Sequence, residues 1–298
     1  MSEQKWQRSS LRHLSTELSN QGHPISHTTV GRLLEDTDYS LKANVKRPAG
    51  KSHPDREQQF DYIAQQTQAF LAAGWPVISV DTKKKELIGN FKNAGRVWCQ
   101  AAETVNDHDF EHEALGKAIP YGIYVLNSNL GSVYVGHSAD TPQFAVEAIA
   151  AWWRTDGQAR FAGAPKLLIL GDAGGSNGCR PHQWKLQLQE QLADQLGLEV
   201  TVCHYPTGTS KWNPIEHRLF GPISINWAGI PLRTFETVLA YIRGTVTETG
   251  LRVKAFWVEQ VYQKGLKVSK KVMQSLNLQP HAVCPRWNYT IKPRPLCT

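Results

Sequence analysis

Two apolar runs in this chain each stop on an aspartate, and a third carboxylate follows a proline at the start of a helix. Pro76-Val77-Ile78-Ser79-Val80 ends at Asp81, and Leu167-Leu168-Ile169-Leu170-Gly171 ends at Asp172. Asn213-Pro214-Ile215-Glu216 supplies the third. Short apolar runs bounded by turn residues are the pattern of buried strands. The three acids are far apart in sequence, so only a fold that interleaves strands and helices can unite them. United, two strand-end aspartates and a helix glutamate form a hard oxygen site suited to Mg²⁺ or Mn²⁺, and two such ions suit phosphodiester chemistry.

The elements between these acids are predicted in a consistent order. A helix is expected over 57–73, then a strand ending at Asp81, with Glu86 to Phe91 as a candidate neighbour. Strands at 121–126 and 132–136 flank a hairpin-type loop. Asp140-Thr141-Pro142 opens a helix to about Trp153, with proline suited to its first turn. A strand (166–171), a helix (182–196), a strand (198–204) and a helix from Pro214 complete the series. The fold class predicted is α/β: a ribonuclease H-like domain, a mixed sheet flanked by helices, preceded by a helix-turn-helix segment. In that fold the first strand, the fourth strand and the last helix converge at one end of the sheet, and Asp81, Asp172 and Glu216 fall on those three elements.

The predicted organisation is a helix-turn-helix-like segment over 1–38, a basic linker over 39–56, the catalytic domain over 57–250 and a basic C-terminal segment over 251–298. Leu11, Leu14 and Leu18 follow helical spacing, Gly22-His23-Pro24 stops that helix, and Ser26 caps a second. Residues Thr28, Thr29 and Arg32 are the ones this pair would offer to a DNA groove; a plain helical hairpin is the competing reading.

Net charge is +7, and residues 251–298 hold nine Lys or Arg against one acid, Glu259. Basic ends around a more acidic centre suit a metal site flanked by surfaces for a polyanion. Arg252, Lys254, Lys264, Lys267, Lys270 and Lys271 are the candidate phosphate contacts of the C-terminal part, and Lys83, Lys84 and Lys85 those beside Asp81. No apolar stretch is long enough to span a bilayer, Met1-Ser2-Glu3-Gln4-Lys5 begins no secretory signal, and the five cysteines include no Cys-x-x-Cys pair. The expectation is a cytoplasmic protein with reduced thiols and no membrane partner.

Each acid also has a structural explanation. Asp81 and Asp172 could simply open turns, and Glu216 could complete a capping box with Asn213 as the cap. His108 with His112, and Cys179 with His182, lack further ligands and make poor zinc sites. Trp152 and Trp153 read as core. The glycine-rich Gly171 to Gly178 loop matches neither nucleotide-binding glycine pattern.

Longer blocks carry a resemblance. Val80-Asp81-Thr82-Lys83-Lys84-Lys85-Glu86-Leu87-Ile88-Gly89-Asn90-Phe91, Gly116 to Gly122, Asp172 to Gly178, Gly208 to Asn213 with Ile215 to Phe220, and Trp287 to Ile291 resemble the Rhodopirellula-type DDE transposases of bacterial insertion sequences. Asn-Pro-Ile-Glu also resembles the glutamate motif of the wider class that includes the mariner type. The resemblance implies a transposase that cleaves DNA ends and transfers them to a target. It implies Mg²⁺ or Mn²⁺, two ions, as cofactor, and double-stranded DNA as partner, with two or more copies assembled on it. By motif the catalytic and metal-binding set is Asp81, Asp172 and Glu216, with Asp81 bridging both ions. Family chains often carry more sequence before Ser9 to Leu34, so a truncated, catalytically idle DNA-binding remnant or repressor is the alternative reading.

Overall fold

The computed structural model describes residues 10–40 and 53–295. The chain forms two compact units, Met1–Lys51 and Ser52–Thr298.

In the first unit, α1 (Leu11–Asn20) and α2 (His27–Asp36) pack as a pair. Both begin on a serine whose hydroxyl accepts a backbone N–H left free at the helix start: Ser10 from His13, and Ser26 from Thr29. Gly22, at φ 87°, makes the turn that L side chains resist. Ser15 Oγ donates to the Ile25 carbonyl at 2.6 Å, pinning the incoming chain back onto α1. Val30 is buried, whereas Thr28 and Arg32 are exposed, so α2 keeps a polar face open. Thr29 is partly covered and its hydroxyl is engaged with Ser26. The expected linker over 39–56 lies mostly outside the described residues.

The second unit is built on a nine-stranded sheet in the order β7-β4-β3-β1-β5-β6-β9-β8, with β2 paired to β3. The strands are β1 (Val77–Thr82), β2 (Glu86–Ile88), β3 (Gly116–Val125), β4 (Leu130–Gly136), β5 (Lys166–Asp172), β6 (Glu199–Tyr205), β7 (Arg252–Trp257), β8 (Leu278–Pro280) and β9 (Asn288–Ile291). Strand β1 is antiparallel to β3 and parallel to β5, and β5 is parallel to β6. Three antiparallel strands followed by two parallel ones, in the order β4-β3-β1-β5-β6, make the ribonuclease H-like arrangement predicted from the sequence.

Period-two alternation assigns the faces. Ile78 and Val80 point to one side, where Trp152, Trp184, Leu188 and Leu192 cover them. Trp152 and Trp153 are core, as predicted. Val77, Leu168 and Leu170 point to the other side, against Ile63 and Phe70 of α3 (Arg56–Ala72). Further along that side, Ile215, Leu219, Phe220 and Ile223 pack on Tyr124, Val133 and Val253. Both faces of β1 and β5 are therefore dry, which is why these strands read as unbroken apolar runs.

Two sequence expectations are corrected here. Glu86–Ile88 does not lie beside β1; it pairs with Gly116–Ala118, and β3 takes the place next to β1. Residues 251–298 are not a separate basic segment. Strand β7 is parallel to β4 at one end of the sheet, and β9 pairs with β6 toward the other. Alternation explains the misreading: on β7 exposed Arg252 and Lys254 mask inward Val253 and Ala255.

Candidate metal centre

Asp81, next to last on β1, and Asp172, last on β5, lie at the same end of adjacent parallel strands. The β1–β5 register matches Val80 with Gly171, and the next residue on each strand is an aspartate. Ser79, Asp81, Leu170 and Asp172 share a pleat parity with Val77 and Leu168, so both acids belong to the face covered by the Glu216 helix. That helix begins at Pro214 and passes through a π-helical turn, Glu216–Phe220. Pro222 lacks the N–H that would bond to Arg218, which accounts for the wider turn at this point.

The backbone N–H of Thr82 donates to Asp81 Oδ1 at 2.8 Å. Asn213 donates to Asp172 Oδ1 at 3.1 Å and to the Val80 carbonyl at 3.4 Å, while its own Oδ1 accepts from Ser79 at 2.5 Å. The capping-box reading of Glu216 is thereby removed. The Asn213 side chain is engaged with Ser79 and Asp172 rather than with the helix N–H groups, and Asn213 N–H donates to the Ser210 carbonyl.

The acids sense one another. Burial first, then the Asp172 carboxylate, with smaller contributions from Glu216 and Asp140, pushes Asp81 up to about 8 despite the Thr82 N–H bond. Glu216 is raised by burial and by Asp172, with His217 and Lys83 opposing. Like charges brought together out of water hold protons unless a cation joins them. Among the described residues no group of three His, Cys, Asp or Glu side chains is arranged to hold a metal ion as it stands. The donor chemistry, carboxylate oxygens repelling one another in a half-buried site, fits a hard divalent cation. Closure around one would require side-chain movement.

Sequence reasoning missed four residues. Asp140 was read as opening the helix α4 (Pro142–Trp152), but Thr141 is its cap, accepting from Phe144 N–H at 3.2 Å. That frees Asp140 to accept from Thr82 Oγ1 at 3.0 Å, beside Asp81. Ser79 sat in an apolar run, and its polarity there was the available signal. Asn213 looked like a cap. His204 is fully buried and bonds through Nδ1 to the Asp172 carbonyl at 3.0 Å; nothing in its local sequence marks that contact.

The lysine run divides. Lys83 is only 6% exposed, paired with Glu86 at 2.8 Å and 4.4 Å from the Trp227 ring centre, so its assignment as a phosphate contact is corrected. Lys84 and Lys85 are exposed, and Lys85 lies 3.6 Å from Asp140. Lys254 is paired with Asp156 at 3.1 Å, while Arg252, Lys264, Lys267, Lys270 and Lys271 are exposed. Lys264 and Lys267 border a cleft of about 670 Å³ that Asp140, Ser176, Arg180 and His182 also line. His108 Nε2 donates to the Lys92 carbonyl at 2.8 Å and has no cluster of metal ligands around it among the described residues. No helix among the described residues is long and apolar enough to cross a membrane.

The sequence model of the family described as the Rhodopirellula transposase DDE domain matches residues 1–293. No curated protein matches the chain. Among solved structures, similarity extends to the Mos1 strand transfer complex (14% identity, TM-score 0.49, covering 79% of this chain and 65% of that one). It extends also to the Mos1 paired-end complex with left transposon end (14%, 0.46, 79% and 66%). A third is the Mos1 mariner paired-end complex with Mn (13%, 0.46, 79% and 66%). The chain thus spans just under two thirds of the length of these structures.

Proposed function

The chain belongs to the Rhodopirellula transposase DDE domain family, and from that membership we propose that it cleaves the ends of a mobile DNA element with divalent metal ions and joins them to target DNA. The observation that carries this reading is the register of β1 on β5, which sets Asp81 and Asp172 side by side on the face that receives the Glu216 helix.

Asp81, Asp172 and Glu216 are the residues that would hold the ions. When bound, a pair of Mg²⁺ or Mn²⁺ ions would stabilise the attacking and leaving oxygens of an in-line phosphoryl displacement. The chain's own part is to hold three carboxylates on rigid elements, two at strand ends and one on a packed helix. Rigid placement keeps the reacting groups aligned without reorganisation at the moment of reaction. Lys84, Lys85, Lys264, Lys267, Lys270 and Lys271 are proposed to contact DNA phosphates, as are Thr28 and Arg32 in the N-terminal unit. Assembly of two or more copies on the DNA belongs to the same proposal.

The alternative, a DNA-binding remnant without chemistry, gains nothing from a complete carboxylate set with buried support. A strand-transfer assay separates the two. Duplexes carrying the element's terminal sequence are incubated with supercoiled plasmid and Mg²⁺. The enzyme reading expects joined products that vanish with chelator, and the remnant reading expects binding without joining.

A further inference from the structure

Asn213 is fully buried, and both N–H groups and the oxygen of its side-chain amide are hydrogen-bonded. Nδ2 has two N–H groups, one directed to the Val80 carbonyl on β1 and one to Asp172 Oδ1 on β5. Oδ1 accepts from Ser79 Oγ, and that hydroxyl in turn accepts the Ile215 N–H at 3.1 Å, one residue before Glu216. The amide orientation is determined by chemistry. Turned over, its oxygen would face two acceptors, the Val80 carbonyl and the Asp172 carboxylate, and its nitrogen would lose both bonds. One side chain therefore ties the strand of Asp81, the carboxylate of Asp172 and the helix turn of Glu216.

We propose, on the reading above that these carboxylates hold metal ions, that Asn213 is a positioning residue for the metal site, occupying one oxygen of Asp172 and leaving the other to a cation. A hydrogen bond to a ligating carboxylate fixes its rotamer and removes the freedom that binding would otherwise have to quench. Loss of such a partner typically costs about ten- to a hundredfold in metal affinity. Ser79 provides the internal comparison. It belongs to the same buried network and contributes to the same junction, but it does not touch Asp172.

The test uses the intact chain with Mn²⁺ alone as the probe, free ion being followed by electron paramagnetic resonance, and thermal melting recorded for each protein. Asn213→Ala is expected to weaken Mn²⁺ binding by about ten- to a hundredfold, and Ser79→Ala by less than about threefold, although each removes buried hydrogen bonds and lowers melting. Equal losses for the two variants, or none for Asn213→Ala, would overturn the positioning role while leaving the metal site standing. Absence of Mn²⁺ binding in the unaltered protein would overturn both. A readout needing no variant guards against misfolding: with side-chain amides labelled, Mg²⁺ should shift the Asn213 Nδ2 resonances saturably and leave in place those of Gln189, which is buried beside Asp194 and the Lys292 carbonyl away from the acids. Unmoved Asn213 resonances in protein that binds Mg²⁺ would also reject the proposal.

Discussion

His204 Nδ1 donates to the backbone carbonyl of Asp172 at 3.0 Å. A carbonyl only accepts, so Nδ1 carries the proton. Nε2 of the neutral ring then accepts from the Tyr289 hydroxyl at 3.1 Å, and that hydroxyl accepts from Trp184 at 2.8 Å. Strand β9 thereby supports the end of β5 that carries a proposed metal ligand.

This network makes folding pH-dependent. Burial lowers His204 to about 4 from 6.5, so the unfolded chain binds a proton there that the folded chain refuses. Stability from this group is full above pH 6.5 and is lost as pH falls toward 4, by about 3 kcal/mol over the window. Asp81 has the opposite sign, because its folded form keeps a proton up to about 8. Urea unfolding in an Asp81→Asn background should remove that opposing contribution and leave a slope carried mainly by His204, with lowered His281 adding to it and raised Glu216 opposing it, and adding His204→Gln should reduce it. An unchanged slope would assign the acid sensitivity elsewhere.

Adjacent lysines should behave differently. Lys83→Met leaves Glu86 buried without its partner and should cost about 3–5 kcal/mol in unfolding experiments. Lys84→Met, on an exposed side chain, should change stability by less than about 0.5 kcal/mol and show its effect in DNA affinity. Similar losses of stability for both would contradict the buried pairing.

Gly122 faces Asp81 across the β1–β3 ladder, and a Cβ there would come within 2.9 Å of Ile215 Cδ1 and also strike the Phe220 ring. Gly122→Ala should cost about 1–3 kcal/mol by overpacking and displace the helix bearing Glu216. Strand cleavage should fall more than tenfold. Wild-type cleavage would mean that the helix is not held to the sheet at this contact.

Charge reversal at Lys267, Lys270 and Lys271 should leave melting unchanged, because these side chains are exposed. Each lost phosphate contact should flatten the dependence of log K on log salt by about 0.9. Point substitutions are preferable to deleting residues 251–298, which would remove β7, β8 and β9 from the sheet. A slope unaltered by the triple reversal would make these lysines solubilising only.

The order of the main elements was legible because β1, β5 and β6 are covered on both faces, and their sequences are correspondingly unbroken. Asp81, Asp172 and Glu216 could be nominated because each interrupts or follows such an element. Strand β7 was hidden by its half-exposed position. Lys83 was misread because a three-lysine run gives no sign that its first member turns inward to Glu86. The roles of Asn213, Ser79, Asp140 and His204 depend on contacts between residues distant in sequence, which local pattern does not encode.

The central claim is that Asp81, Asp172 and Glu216 act together as metal ligands for DNA cleavage. Its most direct measurement is Mg²⁺-dependent nicking of terminal DNA by Asp81→Asn, Asp172→Asn and Glu216→Gln, each checked for melting and DNA binding. A neutral amide keeps shape but is a much poorer ligand for a hard cation. The account predicts three proteins that fold and bind DNA but do not nick. Nicking near the wild-type rate by any of the three would remove that residue from the site and contradict the account.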